Sequence, residues 1–310
     1  MELLLTLKDI DTIDSIKNLV DGIIAGSKFT SGYNFTEDQL NYLSNVCLVN
    51  GMSYYIAIDD IINQDELEEL DRYLKYVSSL DITGIYYHDL SVFALADKYG
   101  LKEKLIYDGK TMLCNSLDVA YYLTKGINGV VLSNCLSYQE LSDILRMNAN
   151  KCDIQIFGHL RLSYSKRKFL TNYLKEIGKD HEIQYLNNEN LTLVEEQRDY
   201  RMPILEDESG TKIYSDYVFQ MYKEISELRP FIRRGIIDTL FIDNTKIGNV
   251  VRDYKILTDE NADILLDSLK ANQPDNYSSG FLYEELNITK DEKDWTISAC
   301  QGFTKGQNCD

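Results

Sequence analysis

A short β-branched or aromatic run, then a helical stretch, often closed by a glycine, recurs along this chain from its first residues. That βα alternation restricts the fold to a parallel sheet flanked by helices. The strands expected are Leu3–Leu7, Gly22–Ala25, Tyr54–Ile58, Ile82–Tyr87, Leu105–Tyr107, Gly129–Leu132 and Asp153–Phe157, with an eighth at Asp238–Ile242. Between them the helices are punctuated clearly. Thr36 with Gln39 and Ser137 with Glu140 have capping-box spacing, and Asn50-Gly51, Gly100 and Gly126 mark helix ends. Leu67, Leu70, Leu74 and Val77 form one apolar stripe, opposite an acidic face of Asp65, Glu66, Glu68, Glu69 and Asp71 that reads as solvation. After a helical stretch at about 166–177 the rhythm breaks: residues 178–216 are polar with short alternating runs, a small β insertion. Helix over 218–234 and a closing helical region to about Leu269 complete the pattern. Eight strands, each followed by a helix, and no Gly-x-Gly-x-x-Gly loop after the first, predict a (β/α)8 TIM-like barrel over 1–285 with that insertion after strand 7 and a tail over 286–310.

In such a barrel, chemistry gathers where the strands end. The polar residues expected there are Lys28, Asp59, Asp60, His88, Asp89, Asp108, Lys110, Ser133, Asn134, His159, Arg161, Asp243, Asn244 and Thr245. Asp59, His88, Asp108 and Asp243 are the candidates for acid–base catalysis, and Lys110 with His159 and Arg161 for binding a small anion. His181-Glu182 begins like a zinc-protease motif, but Tyr185 stands where the second histidine belongs. No metal site is expected.

The charge balance narrows the partners. Thirty-two Lys and Arg against 50 Asp and Glu leave a net charge of −18, which argues against unaided nucleic-acid binding because that affinity comes from cations on phosphates. Lys166-Arg167-Lys168 and Arg229 with Arg233-Arg234 are the two local exceptions. The N-terminal run meets Asp9 without a basic leader, and no apolar stretch reaches membrane-spanning length, so a cytoplasmic protein is expected. The six cysteines, Cys300 and Cys309 in the tail among them, are dispersed and read as reduced thiols, mostly buried.

Several blocks resemble one family. Gly158-His159-Leu160-Arg161-Leu162-Ser163-Tyr164-Ser165-Lys166-Arg167-Lys168, with Leu170-Thr171-Asn172-Tyr173-Leu174 after it, resembles the Gly-Ala-Leu-Cys-x-Ser-Tyr-Ser-Gly-Arg-Cys-x-x-Ser-Asn-Tyr-Leu signature of the collagenase-like peptidase family U32. Asn34-Phe35-Thr36, Pro203 to Thr211, Gly235 to Leu240 and Ser278 to Tyr283 resemble further blocks of that family in the same order. The resemblance implies a barrel. It also implies, for many members that carry the peptidase name by history, hydroxylation of the wobble uridine of tRNA, of a ribosomal cytidine or of the ubiquinone ring, oxygen-independent or prephenate-linked, on a 4Fe–4S cluster held by cysteines.

This chain departs from the family at the ligands. The two signature cysteines fall on Arg161 and Lys168, a further one on Phe219, and the stretch 178–200 has none. No cofactor is therefore expected, since a cluster requires thiolates. The expected role is a degenerate member acting as a partner or scaffold subunit for tRNA wobble-uridine hydroxylation, in a hetero-oligomer with a longer, cluster-bearing paralogue. Two alternatives stand beside it. One is a module binding a small carboxylate such as prephenate through Lys110, His159, Arg161, Ser163, Tyr164, Ser165, Arg167 and Lys168. The other is a collagenase-like peptidase or hydrolase.

Overall fold

The computed structural model describes residues 1–179, 181, 184–194, 200–272 and 275–284; the expected tail, with Cys300 and Cys309, lies outside them. The first half follows the alternation: β1 (Glu2–Leu7), α1 (Ile13–Ile16), β2 (Gly22–Gly26), α2 (Glu37–Asn50), β3 (Ser53–Ile58), α3 (Leu67–Val77), β4 (Gly84–Tyr87) and α4 (Leu90–Ala96). It continues with β5 (Leu105–Asp108), α5 (Ser116–Thr124), β6 (Gly129–Val131), α6 (Tyr138–Met147), β7 (Cys152–Ser165) and α7 (Phe169–Glu176). Next come β8 (Thr192–Val194), β9 (Arg201–Asp207), β10 (Gly210–Gln220), α8 (Ile225–Leu228), β11 (Arg234–Ile237), α9 (Asn244–Ile256), α10 (Ala262–Asn272) and β12 (Tyr277–Ser278). Strands β1 to β7 pair in chain order, and β11 pairs in parallel with both β1 and β7, so eight parallel strands close into a (β/α)8 barrel. Both expected capping boxes are formed, and Gly51, Gly100 and Gly126 take the left-handed conformation that ends a helix.

Alternation along each strand divides the apolar residues. Leu4, Ile24, Tyr55, Ala57, Tyr86, Ile106, Val131 and Ile236 form a separate cluster that fills the barrel interior. Their neighbours, such as Leu3, Leu5, Tyr54, Ile56, Ile85 and Tyr87, join the larger core beneath the helices. The paired tyrosines thus face opposite ways. The first interior positions of β7 and β11 are charged, and their charges meet. Arg234 Nη1 lies 3.0 Å from Asp153 Oδ2, which also accepts the Tyr86 hydroxyl at 2.8 Å, while the Arg234 guanidinium sits 4.8 Å above the Tyr55 ring.

Three expectations change. The eighth strand is Arg234–Ile237 rather than Asp238–Ile242. Arg234 reads as surface in a sequence, but its charge is satisfied inside the barrel, and the chain turns away after Asp238, with Phe241 at a positive φ of 65°. The helix expected over 218–234 shrinks to α8, because Tyr217, Val218 and Phe219 extend β10 and Pro230 follows the last helical turn. Strand β7 does not stop at Phe157. It turns at Gly158 (φ 111°), where a Cβ would stand 2.4 Å from the Asp238 carbonyl oxygen, and then pairs antiparallel with β10, from Gly158↔Phe219 to Ser165↔Thr211. Strands β9 and β8 continue this small sheet, the β insertion.

The charged runs are also more engaged than expected. Glu66 pairs with Lys166, Glu69 with Lys28 and Asp71 with Lys98. Arg229 donates to the Tyr254 carbonyl and Arg233 to Asn128, so with Arg234 buried they make no basic patch. No helix among the described residues is long and apolar enough to cross a membrane.

Two stability predictions follow from this architecture. Asp153→Ala removes the buried carboxylate that faces Arg234, leaving it only the outer Glu2 carboxylate at 3.4 Å, and is expected to cost about 3 kcal/mol in urea unfolding. Thr36→Ala removes the side chain that caps α2 and is expected to cost about 1 kcal/mol in the same measurement.

Candidate functional site

The barrel strands end around a cavity of about 200 Å³, above a smaller one of about 50 Å³ that runs down between Thr6, Ile24, Tyr86 and Val131. The mouth is polar on the barrel side, with Asp59 following β3, Lys110 following β5, Asn134 following β6, Gln155 in β7 and Asp238 following β11. Its upper wall comes from the antiparallel extension: His159, Arg161 and Leu162 of β7 and Tyr214 of β10, joined by Phe281 from the 3-10 turn Gly280–Tyr283. Two of the sequence blocks, Gly158–Lys168 and Ser278–Tyr283, far apart in the chain, contribute to this wall.

Four charges alternate across the mouth. Arg161 Nη1 lies 3.0 Å from Asp59 Oδ2, Lys110 Nζ lies 3.7 Å from the same oxygen, and Lys110 Nζ lies 2.5 Å from Asp108 Oδ2. Arg161 and Asp59 are nearly enclosed, with side chains 9% and 14% exposed. Burial opposes ionisation of Asp59, but Arg161, Lys212, Lys110 and His88 outweigh it and hold the carboxyl down at about 2. At Asp238 burial outweighs the opposing Lys110 charge and hydrogen bonds and raises its carboxyl; its Oδ1 accepts from the Leu240 amide at 2.9 Å and the Thr6 hydroxyl at 3.3 Å. Burial also lowers His159, so its imidazole is neutral at pH 7, with Nδ1 donating to the Ser215 carbonyl at 2.7 Å. Phe241 and Lys110 both hold positive φ at the strand ends, conformations that non-glycine residues keep only when surrounding contacts enforce them. The Phe241 ring does so against Tyr214 at 4.9 Å and His159 at 5.8 Å.

A second buried pair fastens the extension to the barrel. Lys212 Nζ of β10 lies 2.5 Å from Asp60 Oδ1, contacts the Ser31 hydroxyl and sits 4.3 Å above the Tyr164 ring. The Tyr164 hydroxyl accepts the Ile61 amide at 3.2 Å and lies 3.3 Å from Asp60 Oδ1. Farther out, the buried Glu206 of β9 accepts the Leu170 and Thr171 amides at the start of α7, at 2.7 and 3.0 Å. At the tight turn before β10, a Cβ on Gly210 would meet the Ser165 carbonyl oxygen at 2.1 Å.

Of the residues singled out from the sequence, Asp59, Lys110, His159 and Arg161 meet at the mouth, with Asp108 beside them. His88 lies at its outer rim with Lys110, Ser163 and Tyr164, and its Nδ1 donates to the Asp108 carbonyl at 2.9 Å. Asp243 does not join them; it is exposed and caps α9 through the Thr245 amide at 2.9 Å. Ser165 accepts the Arg167 amide, and Arg167 and Lys168 lie outside the cavity lining. Tyr33, Gln155, Tyr214, Asp238 and Lys212 were not singled out. Asp153 and Gln155 stand two residues apart on β7, so inward alternation was the available signal for Gln155.

The positions that the family resemblance assigns to cluster cysteines carry a guanidinium at Arg161, an ammonium at Lys168 and a phenyl at Phe219, the last only 3% exposed and packed in the core. That donor set does not fit an iron–sulfur cluster, which takes thiolates. Of the cysteines described, Cys47 and Cys152 are buried and their thiols are pushed up to about 12 by burial; Cys135 is half-buried at the mouth and Cys114 is exposed.

Comparison with known proteins agrees with the sequence blocks. The profile of peptidase family U32 matches residues 25–292. Over 219 residues the chain is 26% identical to the "tRNA hydroxylation protein P2" of Bacillus subtilis, covering 70% of this chain and 68% of that one. It is 24% identical over 146 residues to the "Uncharacterized protease MJ0090" of Methanocaldococcus jannaschii, covering 46% of this chain and 35% of that one. Among solved structures, the U32 peptidase Mk0906 superposes with a TM-score of 0.48 at 15% identity, covering 77% of this chain and 92% of that one. With the profile spanning most of its length, the chain belongs to peptidase family U32.

Proposed function

We propose that this protein acts in tRNA hydroxylation as a cluster-free subunit beside a longer, cysteine-bearing member of its own family, in the cytoplasm. The observation that carries the reading is Arg161. It stands at a cysteine position of the family signature, and its guanidinium is enclosed in the barrel mouth and fixed to Asp59. The similarity to a protein named for tRNA hydroxylation supplies the reaction, and the net charge of −18 supports a partner that brings the RNA-binding surface. A peptidase role gains less support from the mouth. Both His88 and His159 spend Nδ1 on backbone carbonyls, and among the described residues neither is hydrogen-bonded to a serine hydroxyl or a cysteine thiol.

In this reading the chain's own residues shape a mouth rather than transfer electrons. Arg161 and Lys110 hold Asp59 ionised, Lys212 and Tyr164 hold the β7–β10 wall over the cavity, and the aromatic contacts of Phe241 keep His159 in place.

Deletion of the gene, followed by mass spectrometry of tRNA nucleosides, is expected to abolish the hydroxylated wobble uridine; an unchanged nucleoside profile contradicts the proposal. Complementation with Arg161→Ala is expected to restore about a tenth of the modification or less, because Asp59 is left without its nearest cation. The same variant should shift acid unfolding. Asp59 is depressed in the folded state, so its contribution is fully present above pH ~4 and lost as pH falls toward 2. Without Arg161 the folded Asp59 carboxyl rises toward its unfolded value, so less stability is lost between pH ~4 and 2 and the acid dependence becomes shallower, which circular dichroism against pH would show.

A further inference from the structure

Two cysteines stand where the loops after β5 and β6 meet at the rim of the mouth. The Ser133 amide donates to the Leu113 carbonyl at 3.0 Å, which joins the loop after β6 to the loop after β5 one residue before Cys114. Cys114 is exposed, and its thiol donates to the Thr111 carbonyl at 3.3 Å. Cys135 is half-buried, with its amide held by the Ser133 hydroxyl at 3.1 Å. Thr111 and Cys135 line the same cavity, so one loop brings Cys114 to its edge and the other brings Cys135. Burial raises the Cys135 thiol, and the Cys114 sulfur is near enough to add to the rise. Cys47 and Cys152 differ from this pair: both are buried, with thiols pushed up to about 12, which leaves them inert.

We propose that Cys114 and Cys135 form a dithiol site that exchanges with small disulfides, and that the bond it makes fastens the loop carrying Lys110 to the loop carrying Asn134. The two thiols divide the work by their exposure. As a thiolate, the accessible Cys114 attacks one sulfur of the small disulfide and displaces its other half as a thiolate. Cys135, deprotonated in turn, attacks Cys114 Sγ in the mixed disulfide and displaces the second half. Two protein thiols are oxidised to one disulfide, one small disulfide is reduced to two thiols, and the two protons lost by the cysteines pass to the departing thiolates. Lys110 and Thr111 precede Cys114 in its loop, and Asn134 adjoins Cys135, so the bond restrains three residues of the cavity lining. The site is independent of the subunit reading, since it needs only this chain and a small disulfide.

Trypsin cleaves after Lys110, Lys125 and Arg146, so Cys114 and Cys135 fall on separate peptides, and the other four cysteines fall on neither. The purified full-length chain, incubated without denaturant with glutathione disulfide and then blocked with iodoacetamide, is expected to yield these two peptides linked, and dithiothreitol should separate them. Cys135→Ser removes the resolving thiol: the linked pair is lost and the Cys114 peptide keeps one glutathionyl group. Glutathione retained on Cys114 of the wild-type chain without the linked pair, or both thiols still open to iodoacetamide after the incubation, overturns the proposal.

Discussion

Closing eight parallel strands into a barrel turns alternate residues inward, and a charged residue in that position must find its counter-ion inside. The chain meets this constraint at two levels. Near the strand starts, Arg234 and Asp153 bridge β11 and β7, the pair of strands that completes the barrel. At the strand ends, Arg161, Asp59, Lys110 and Asp108 neutralise one another around a cavity. At the mouth the charges are linked through shared partners, Asp59 facing both Arg161 and Lys110 and Lys110 facing both Asp59 and Asp108, so their balance keeps the net charge of this polar surface close to zero.

The antiparallel extension of β7 turns that polar rim into a site. A plain barrel strand would have delivered its last side chain at Phe157. Instead the turn at Gly158 carries the chain upward, and pairing with β10 sets Arg161 over Asp59 and Tyr164 over Asp60. The Lys212–Asp60 pair holds this wall down from the other strand. The site thus depends on one left-handed glycine and on the insertion that supplies β10.

Much of the barrel was legible because its signals are local. The capping boxes at Thr36 and Ser137, the glycine stops and the β-branched runs each act within a few residues, and they agree with the fold. What escaped was set by distant partners. Arg234 looks like a surface residue until Asp153, 81 positions away, is placed beside it. Tyr217 to Phe219 fit a helix or a strand until β7 offers an edge. The site was half legible for the same reason. Asp59, Lys110 and Arg161 followed from counting strand ends, whereas Lys212 sits in an insertion with no periodicity to read. Asp243, expected directly after an eighth strand at Asp238–Ile242, lies beyond the observed strand Arg234–Ile237 and is used as a helix cap.

The central claim is that this family member has exchanged a metal-binding mouth for a charge-neutral one and works beside a paralogue that keeps the cluster. Iron and acid-labile sulfide, measured on the protein purified without oxygen, alone and co-expressed with the longer cysteine-bearing paralogue, test it most directly. The account predicts a colourless chain without iron that retains an iron-containing paralogue through purification. Roughly four iron atoms per chain in this protein alone would contradict it.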